Sequence, residues 1–386
     1  MHSRRTIMIA AVAAGLSALG TQGSWAQGVT DKEIIIGTHQ DLSGPVVSWG
    51  QPVSNGMKMA VDEINAAGGI NGRQIKLLLE DDGYDPKKTL LVTQKLITQD
   101  QILALVGPMG AATSGPVMPW VLKQGVPHLF PVASSEIFYE PFDKLKFSIF
   151  TPWSSQTYNA TKWFHKNKGL KKVGALVQDD EFGASVQRGV EQAAKELNIP
   201  AVVVTYKRGS TDFSSQIARL KSEDVGMIAL GTPIRESVAA ANEAQKAGWK
   251  VDMLVTTSGF APEVIKLGGD NVEGLWGSAQ TPIPYVENAG PELKKWMEAY
   301  KARFNSDPNP QAVIGYQIIS LFAEGAKHAG KDLNRETLVQ GLEKVKDWKD
   351  IFGTAPMSFG PDRRLATNTP ILFQVQKGKW VKVADF

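Results

Sequence analysis

The residues of this chain best suited to binding chemistry are small hydroxyl residues and glycines gathered where apolar segments end. One gathering is Val106-Gly107-Pro108-Met109-Gly110-Ala111-Ala112-Thr113-Ser114-Gly115-Pro116, an apolar strand-like run that passes into a proline-initiated helix. A second is Phe130-Pro131-Val132-Ala133-Ser134-Ser135-Glu136, again a strand end followed by hydroxyls. Amides in the first turn of a helix have no intrahelical partner and bind anions well. Taken singly, each junction also fits an ordinary role, because Thr113, Ser114, Ser134 and Ser135 can simply cap their own helices. Taken together, two such junctions after consecutive strands of one sheet can converge on a single carboxylate. Both readings stand at this level.

Other reactive arrangements are missing from the sequence. There is no Gly-x-Ser-x-Gly elbow, no His-Glu-x-x-His helix, no phosphate loop ending in Gly-Lys-Ser/Thr and no Gly-x-Gly-x-x-Gly. The five histidines, His2, His39, His128, His165 and His328, are scattered without ligand spacing and read as structural. The run Glu80-Asp81-Asp82-Gly83-Tyr84-Asp85 lacks the glutamate that closes a calcium loop and reads as an acidic turn with a helix cap. With 0 cysteines, thiol nucleophiles, disulfides and a lipidated N-terminal cysteine are excluded. No metal or cofactor is expected, and the chain does not read as an enzyme.

The elements that position these residues follow from periodicity. Strand-like Ile34–Gly37 precedes the loop Asp41-Leu42-Ser43-Gly44-Pro45 and a helix over 50–66, after which Gln74–Glu80 (strand), Pro86–Gln99 (helix) and Ile102–Val106 (strand) repeat the pattern. The alternation continues through strands at 126–131, 172–177, 201–206, 225–230 and 253–257 and helices at 185–197, 213–221 and 236–247. Helices then cover 291–304, 311–328 and 335–345, before short strands and turns over 357–386. Strands alternating with helices imply parallel sheets, and 386 residues exceed what one compact core organises. Two doubly wound α/β lobes are therefore expected, with ligands beyond the carboxyl ends of the strands. A net charge of +3 offers no footprint for nucleic acid.

Residues 1–26 read as a cleavable export signal. Arg4 and Arg5 precede an apolar run, Thr6–Gly20, of about 15 residues, short of the roughly 20 that a membrane-spanning helix needs, and Ser24-Trp25-Ala26 fits the small-x-small cleavage rule. The arginine pair is compatible with either general or twin-arginine export. Cleavage near Ala26 would deliver the mature chain to the periplasm.

The chain resembles the periplasmic leucine/isoleucine/valine-binding protein family, the solute receptors of branched-chain amino-acid-type ABC transporters. The resemblance is carried by Leu42-Ser43-Gly44-Pro45, Asn65-Ala66-Ala67-Gly68-Gly69-Ile70-Asn71-Gly72-Arg73, Asp81-Asp82 with Asp85-Pro86, and Gly107-Pro108. It continues in Pro131-Val132-Ala133-Ser134, Asp179-Asp180-Glu181-Phe182-Gly183, Thr211-Asp212-Phe213-Ser214 and Gly315-Tyr316. It implies a type I periplasmic binding fold, two lobes joined by three crossovers, with one lobe over 27–150 and 281–368 and the other over 151–280 and 369–386. Hinges are expected near Thr151, Gln280 and Pro370.

The resemblance also implies site residues. Ala111, Ala112 and Thr113, with Ala133 and Ser134, would hold a ligand carboxylate, and Met109, Gly110 and Ser135 beside them are further ligand-binding candidates. Trp49 and Phe182 would cover its side chain from the two lobes, while Trp153, Pro233 and Ile234 lie at the cleft or beside it. Amino-acid-binding relatives carry an acidic residue in the loop after the strand at 253–255, but here that loop reads Thr256-Thr257-Ser258-Gly259. A buried ammonium without a countercharge is costly, so Thr257 and Ser258 point to a ligand without an amine. Arg235 is a further candidate for bidentate capture of the carboxylate, or an exposed partner of Glu236. The function implied is a monomeric receptor that delivers a small carboxylate-bearing ligand to ABC permease subunits. The alternative is a sensor for a membrane signalling partner.

Overall fold

The computed structural model describes residues 27–386, so the expected export signal lies outside the described residues. Two sheets organise the chain. The first comprises β1 (Glu33–Gln40), β2 (Gln74–Asp81), β3 (Leu105–Val106), β4 (His128–Leu129) and β5 (Lys146–Phe147), parallel throughout in the order β2-β1-β3-β4-β5. The second comprises β6 (Val173–Gln178), β7 (Ala201–Tyr206), β8 (Met227–Gly231), β9 (Asp252–Val255), β10 (Trp276–Ala279), β11 (Ile371–Gln376) and β12 (Lys379–Asp385). Its parallel part, β7-β6-β8-β9-β10, repeats the winding of the first sheet, and the β11–β12 hairpin closes the far edge antiparallel. Each sheet reverses its winding between its first and third strands, and such a switch point opens a crevice at the carboxyl ends.

Parallel strands are covered on both faces and read as unbroken apolar runs rather than alternating ones. That is why β8, Met-Ile-Ala-Leu-Gly, is buried along its whole length. The expected strand over 102–106 is paired in the ladder only at Leu105–Val106, because such a run fixes burial but not where pairing begins. The helix Trp153–Lys168 and strand β10 have no counterpart in the sequence-based alternation. The helix is rich in Ser, Thr, Asn and Gln, so its apolar stripe is thin, and β10 is only four residues long.

The chain passes between the sheets after β5, after β10 and again before β11. Gln280 ties two of these passages together: its Oε1 accepts the Thr151 amide at 2.6 Å and its Nε2 donates to the Ile149 carbonyl at 3.0 Å. Ser148 in the first passage bridges to Leu365, just ahead of the third. The helix Pro310–Ala329 returns to the first sheet and crosses the helix Val47–Ala66 at Gly56 and Gly315. A Cβ on Gly56 would lie 2.0 Å from the Ala312 carbonyl oxygen, and one on Gly315 2.0 Å from that of Val53. This close crossing fixes the helix that carries Trp49. Among the described residues no helix is long and apolar enough to cross a membrane.

Candidate functional site

The two hydroxyl-rich junctions meet, as expected, at the carboxyl ends of β3 and β4. Met109 donates its amide to the His39 carbonyl at 3.0 Å and Gly110 donates to the Val132 carbonyl at 3.2 Å, which stitches one junction to the other. Gly110–Ser114 forms a π-helical turn that runs directly into the helix Gly115–Lys123. The Ala111, Ala112 and Thr113 amides fall in its first turn, where no intrahelical acceptor exists. Gly110 has φ +86°, and a Cβ there would lie 2.5 Å from both Thr113 Oγ1 and a Tyr84 ring carbon.

The hydroxyls divide between the cleft and structural bonds, and of the expected caps only Ser135 makes one, accepting the Ile137 amide at 3.5 Å. Thr113 Oγ1 donates to the Met109 carbonyl at 2.6 Å, Ser114 Oγ pairs with His128 Nε2 at 2.9 Å, and Ser135 Oγ donates to Glu181 at 2.8 Å. Those three are structural. Ser134 is 3% exposed and lines the cleft, and its hydroxyl and amide have no partner among the described residues.

Tyr84 supplies a wall that the sequence did not announce. It follows Gly83 in the acidic turn after β2, and both residues have φ +57°. Asp82, fully buried, holds this turn: Oδ1 accepts the Tyr84 amide at 2.9 Å, while Oδ2 accepts Thr89 Oγ1 at 2.9 Å and lies 2.7 Å from His39 Nδ1. Burial pushes the Asp82 carboxyl up, but the His39 hydrogen bond and charge and the donors from Tyr84 and Thr89 hold it below the ordinary carboxylate range. Burial also acts upward on Asp81, where Ser43 Oγ and the Leu42 and Gly83 amides win and bring its pKa to about 2. Asp85 caps the helix Pro86–Thr98 through the Lys87 and Lys88 amides. The acidic turn is a scaffold, and no metal-holding cluster occurs among the described residues.

From the second lobe, Asp180 caps the helix Glu181–Leu197 and places Phe182, whose ring lies 4.5 Å from that of Trp153. Pro233, Thr257 and Ser258 complete this side, and Phe150 reaches in from the first passage between sheets. Trp49 spans the gap, its indole N–H donating to the Ser258 carbonyl at 3.1 Å. The resulting cleft leaves about 60 Å³ of free space between these walls.

Of the residues expected at the site, Trp49, Met109, Gly110, Ala111, Ala133, Ser134, Trp153, Phe182, Pro233, Thr257 and Ser258 line this cleft. Ala112, Thr113 and Ser135 stand behind the lining, and Ile234 is buried in the second core. Arg235 is a correction. It is exposed and does not line the cleft, so its guanidinium takes no part in the wall. Val46, Tyr84, Val132 and Phe150 line it without having been anticipated. No lining residue carries a charge. A nearby cation is Arg208, whose guanidinium lies 4.7 Å over the Tyr84 ring, 3.3 Å from the Tyr84 carbonyl and 3.1 Å from Asp180.

The sequence pattern that defines the periplasmic binding protein family matches residues 33–379. The chain belongs to that family. This periplasmic binding protein is 26% identical to the leucine-specific-binding protein of Salmonella typhimurium, over 86% of this chain and 89% of the relative. It is 26% identical to the leucine-, isoleucine-, valine-, threonine- and alanine-binding protein of Pseudomonas aeruginosa, over 75% of this chain and 77% of that one. Among solved structures, a fatty acid ABC transporter substrate-binding protein from Thermomonospora curvata superposes with a TM-score of 0.83 at 25% identity, covering 94% of each chain. A branched-chain amino acid ABC transporter protein from Thermus thermophilus with bound valine has a TM-score of 0.84 at 16% identity, covering 93% of this chain and 97% of that one, a likeness of fold. The type I binding fold is thus established, and this periplasmic binding protein is a substrate-binding component of the ABC-transporter type, not an enzyme.

The lobes of this periplasmic binding protein also meet beside the cleft. Arg188 Nη2 lies 2.8 Å from both Glu136 Oε2 and Glu181 Oε1, and Glu136 also accepts Ser185 Oγ at 2.7 Å. Glu136 follows β4 and the other partners follow β6, so the cluster ties segments of the two sheets together. Arg188 is 46% exposed, and partly exposed pairs contribute about 1 kcal/mol or less. Arg188→Ala is therefore expected to shift the open-to-closed ratio toward open by up to about fivefold at low salt and less at high salt. Small-angle scattering of the unliganded protein reads this directly, and an unchanged profile at low salt contradicts it.

Proposed function

We propose that this protein binds a carboxylic acid with an apolar or aromatic body and no amine, and presents it to a membrane permease. The observation that carries the reading is the uncharged cleft lining: amides and the Ser134 hydroxyl on one side, aromatic rings on the others, and no carboxylate for an ammonium. A carboxylate seated at Ala111 and Ser134 receives charge-assisted hydrogen bonds and the positive end of a helix. An ammonium in the same space leaves water with no countercharge, which is expensive. Glu236, half-buried and pushed upward by burial, stands outside the lining and offers no alternative partner. The named ligands of the relatives, amino acids in some and fatty acid in another, share the carboxylate and differ in the amine.

Ligand seated on the first lobe, under Trp49, would gain the Phe182 and Thr257 contacts only on closure, so binding draws an open population toward the closed one. The lobes, 27–150 with 281–368 and 151–280 with 369–386, would rotate about the segments at Thr151, Gln280 and Pro370. We place the mature protein in the periplasm as a monomer, after cleavage near Ala26, with ABC permease subunits as partners.

The test is a thermal-shift and calorimetric screen of refolded mature protein, comparing leucine, valine and phenylalanine with amine-free acids of matched shape, such as isocaproate, isovalerate and phenylpropionate. A ligand held at about a hundred times its dissociation constant stabilises by about 2.7 kcal/mol. Stabilisation by the amine-free acids alone is the expected result. Equal or greater stabilisation by the amino acids overturns it.

A further inference from the structure

A phenylalanine at position 84 would line the cleft as well as the ring of Tyr84 does, yet the residue carries a hydroxyl that has no hydrogen-bond partner among the described residues. That hydroxyl stands beside the carboxylate seat. A Cβ on Gly110 would lie 2.5 Å from Tyr84 Cε2 and 3.2 Å from Cζ, the carbon that bears the hydroxyl, and Gly110 directly precedes Ala111. Tyr84, Gly110 and Ala111 all line the cleft. The neighbouring Thr113 Oγ1 is committed to the Met109 carbonyl at 2.6 Å. Burial and the charge of Asp180 push the Tyr84 phenol up, so the hydroxyl keeps its proton at neutral pH and is available as a donor.

The ring is held on every side except the one that faces the cleft. Its backbone is pinned by Asp82 Oδ1, which accepts the Tyr84 amide at 2.9 Å. From the opposite lobe, Arg208, in the loop after β7, lays its guanidinium 4.7 Å over the ring and donates from Nη1 to the Tyr84 carbonyl at 3.3 Å. Its Nη2 lies 3.1 Å from Asp180 Oδ2, and the other oxygen of Asp180 accepts the Phe182 amide at 3.0 Å. A planar guanidinium can stack and donate at the same time, so one side chain sets the Tyr84 ring against the helix start that carries Phe182. With Gly110 at its edge and Arg208 over its face, the ring cannot turn its hydroxyl away without breaking these contacts.

We infer that the Tyr84 hydroxyl is a donor to the ligand carboxylate, presented by Arg208 from the opposite lobe. The inference rests on the carboxylate seat proposed above and holds whether or not the ligand carries an amine. A carboxylate accepts several hydrogen bonds at once, so a phenol beside Ala111 and Ser134 adds to theirs. The bond is made to a charged acceptor and the protein itself has no use for the hydroxyl, so its loss falls on affinity and spares the stability of the unliganded protein.

The experiment is calorimetric titration of refolded mature wild type, Tyr84→Phe, Arg208→Met and the double variant with isocaproate and phenylpropionate, and with leucine and phenylalanine as their amine-bearing counterparts. Tyr84→Phe is expected to weaken whichever acids bind by about tenfold or more, with the melting temperature of the unliganded protein unchanged. Arg208→Met, which keeps the stem and removes the charge and donors, should weaken them by about fivefold, and the double variant should be little weaker than Tyr84→Phe alone because both changes act through one hydroxyl. Affinity of Tyr84→Phe within about twofold of wild type, or a drop in the stability of the unliganded variant that accounts for its loss, overturns the role of the hydroxyl. An equal loss from Arg208→Met with and without the hydroxyl overturns the part given to Arg208. Leucine or phenylalanine bound more tightly than the amine-free acids, yet weakened alike by Tyr84→Phe, overturns the amine-free reading and sustains this one. Binding of none of the four acids overturns both.

Discussion

Asp82→Ala is expected to destabilise the protein by about 3–5 kcal/mol and to abolish binding of any acid that the wild type binds. The carboxylate is fully buried, and three groups depend on it: the His39 ring, the Thr89 hydroxyl and the Tyr84 amide. Removing it leaves His39 buried without its partner at Nδ1, while His39 Nε2 already has none among the described residues. Losing one member of such a pair costs far more than the pair contributes in net terms, because the other stays desolvated. The functional loss has a separate cause. Tyr84 holds a left-handed backbone, unfavourable for an aromatic residue, and the Asp82 Oδ1 bond to its amide maintains it. Without that bond the turn relaxes and the ring leaves Gly110 and Arg208. Asp82→Asn retains an acceptor for the Tyr84 amide and should lose less binding than stability. Urea unfolding and calorimetry separate the two effects, and an alanine variant within about 1 kcal/mol of wild type contradicts the argument.

Tyr84 also marks the limit of what the sequence discloses. The two junctions were legible because Gly107-Pro108 and Pro131 interrupt apolar runs that can only be buried parallel strands, and consecutive strands of one sheet must bring their ends together. Trp49 and Phe182 were legible through resemblance. Tyr84 was not, since its place depends on a non-glycine residue at φ +57° and on a Gly110 more than twenty positions along the chain that has no Cβ to obstruct the ring. Nothing local encodes either. Arg235 failed for another reason. It lies two residues after Pro233, which lines the cleft, and a helix turns about 100° per residue, so its side chain emerges on the solvent side. Strand-end position identified the right junction but not the right rotation. Ser135 shows the reverse case, since it caps its short helix as the bland reading expects, whereas Ser114 makes no cap bond and is taken up by His128.

His128 gives the second large effect, an acid limb that begins well above the carboxylate range. Burial, with the charges of His39 and Lys146, brings its pKa from the ordinary 6.5 to about 3. The geometry explains the direction: Nε2 is engaged by Ser114 Oγ, the ring stacks on Phe138 at 5.5 Å, and a proton placed on Nδ1 would find no acceptor among the described residues. The unfolded chain takes up a proton near pH 6.5 that the folded chain refuses until about pH 3. Stability is therefore complete above pH 6.5 and falls below it by about 1.4 kcal/mol per pH unit, reaching a loss of about 3 kcal/mol at pH 4.5. Asp81, Asp82 and Glu136, all held below their ordinary values, act in the same direction at lower pH, where their stabilisation is lost as each takes up a proton. His128→Gln is expected to cost stability at pH 7 through lost packing, yet to flatten the limb between pH 6.5 and 4.5 by about one proton. Denaturant unfolding across that range decides it, and a variant whose stability declines as steeply as that of the wild type would show that the acid limb has another origin. The folded protein keeps His128 neutral through that interval and with it the turn that Ser114 closes, so affinity should hold steady there while stability falls.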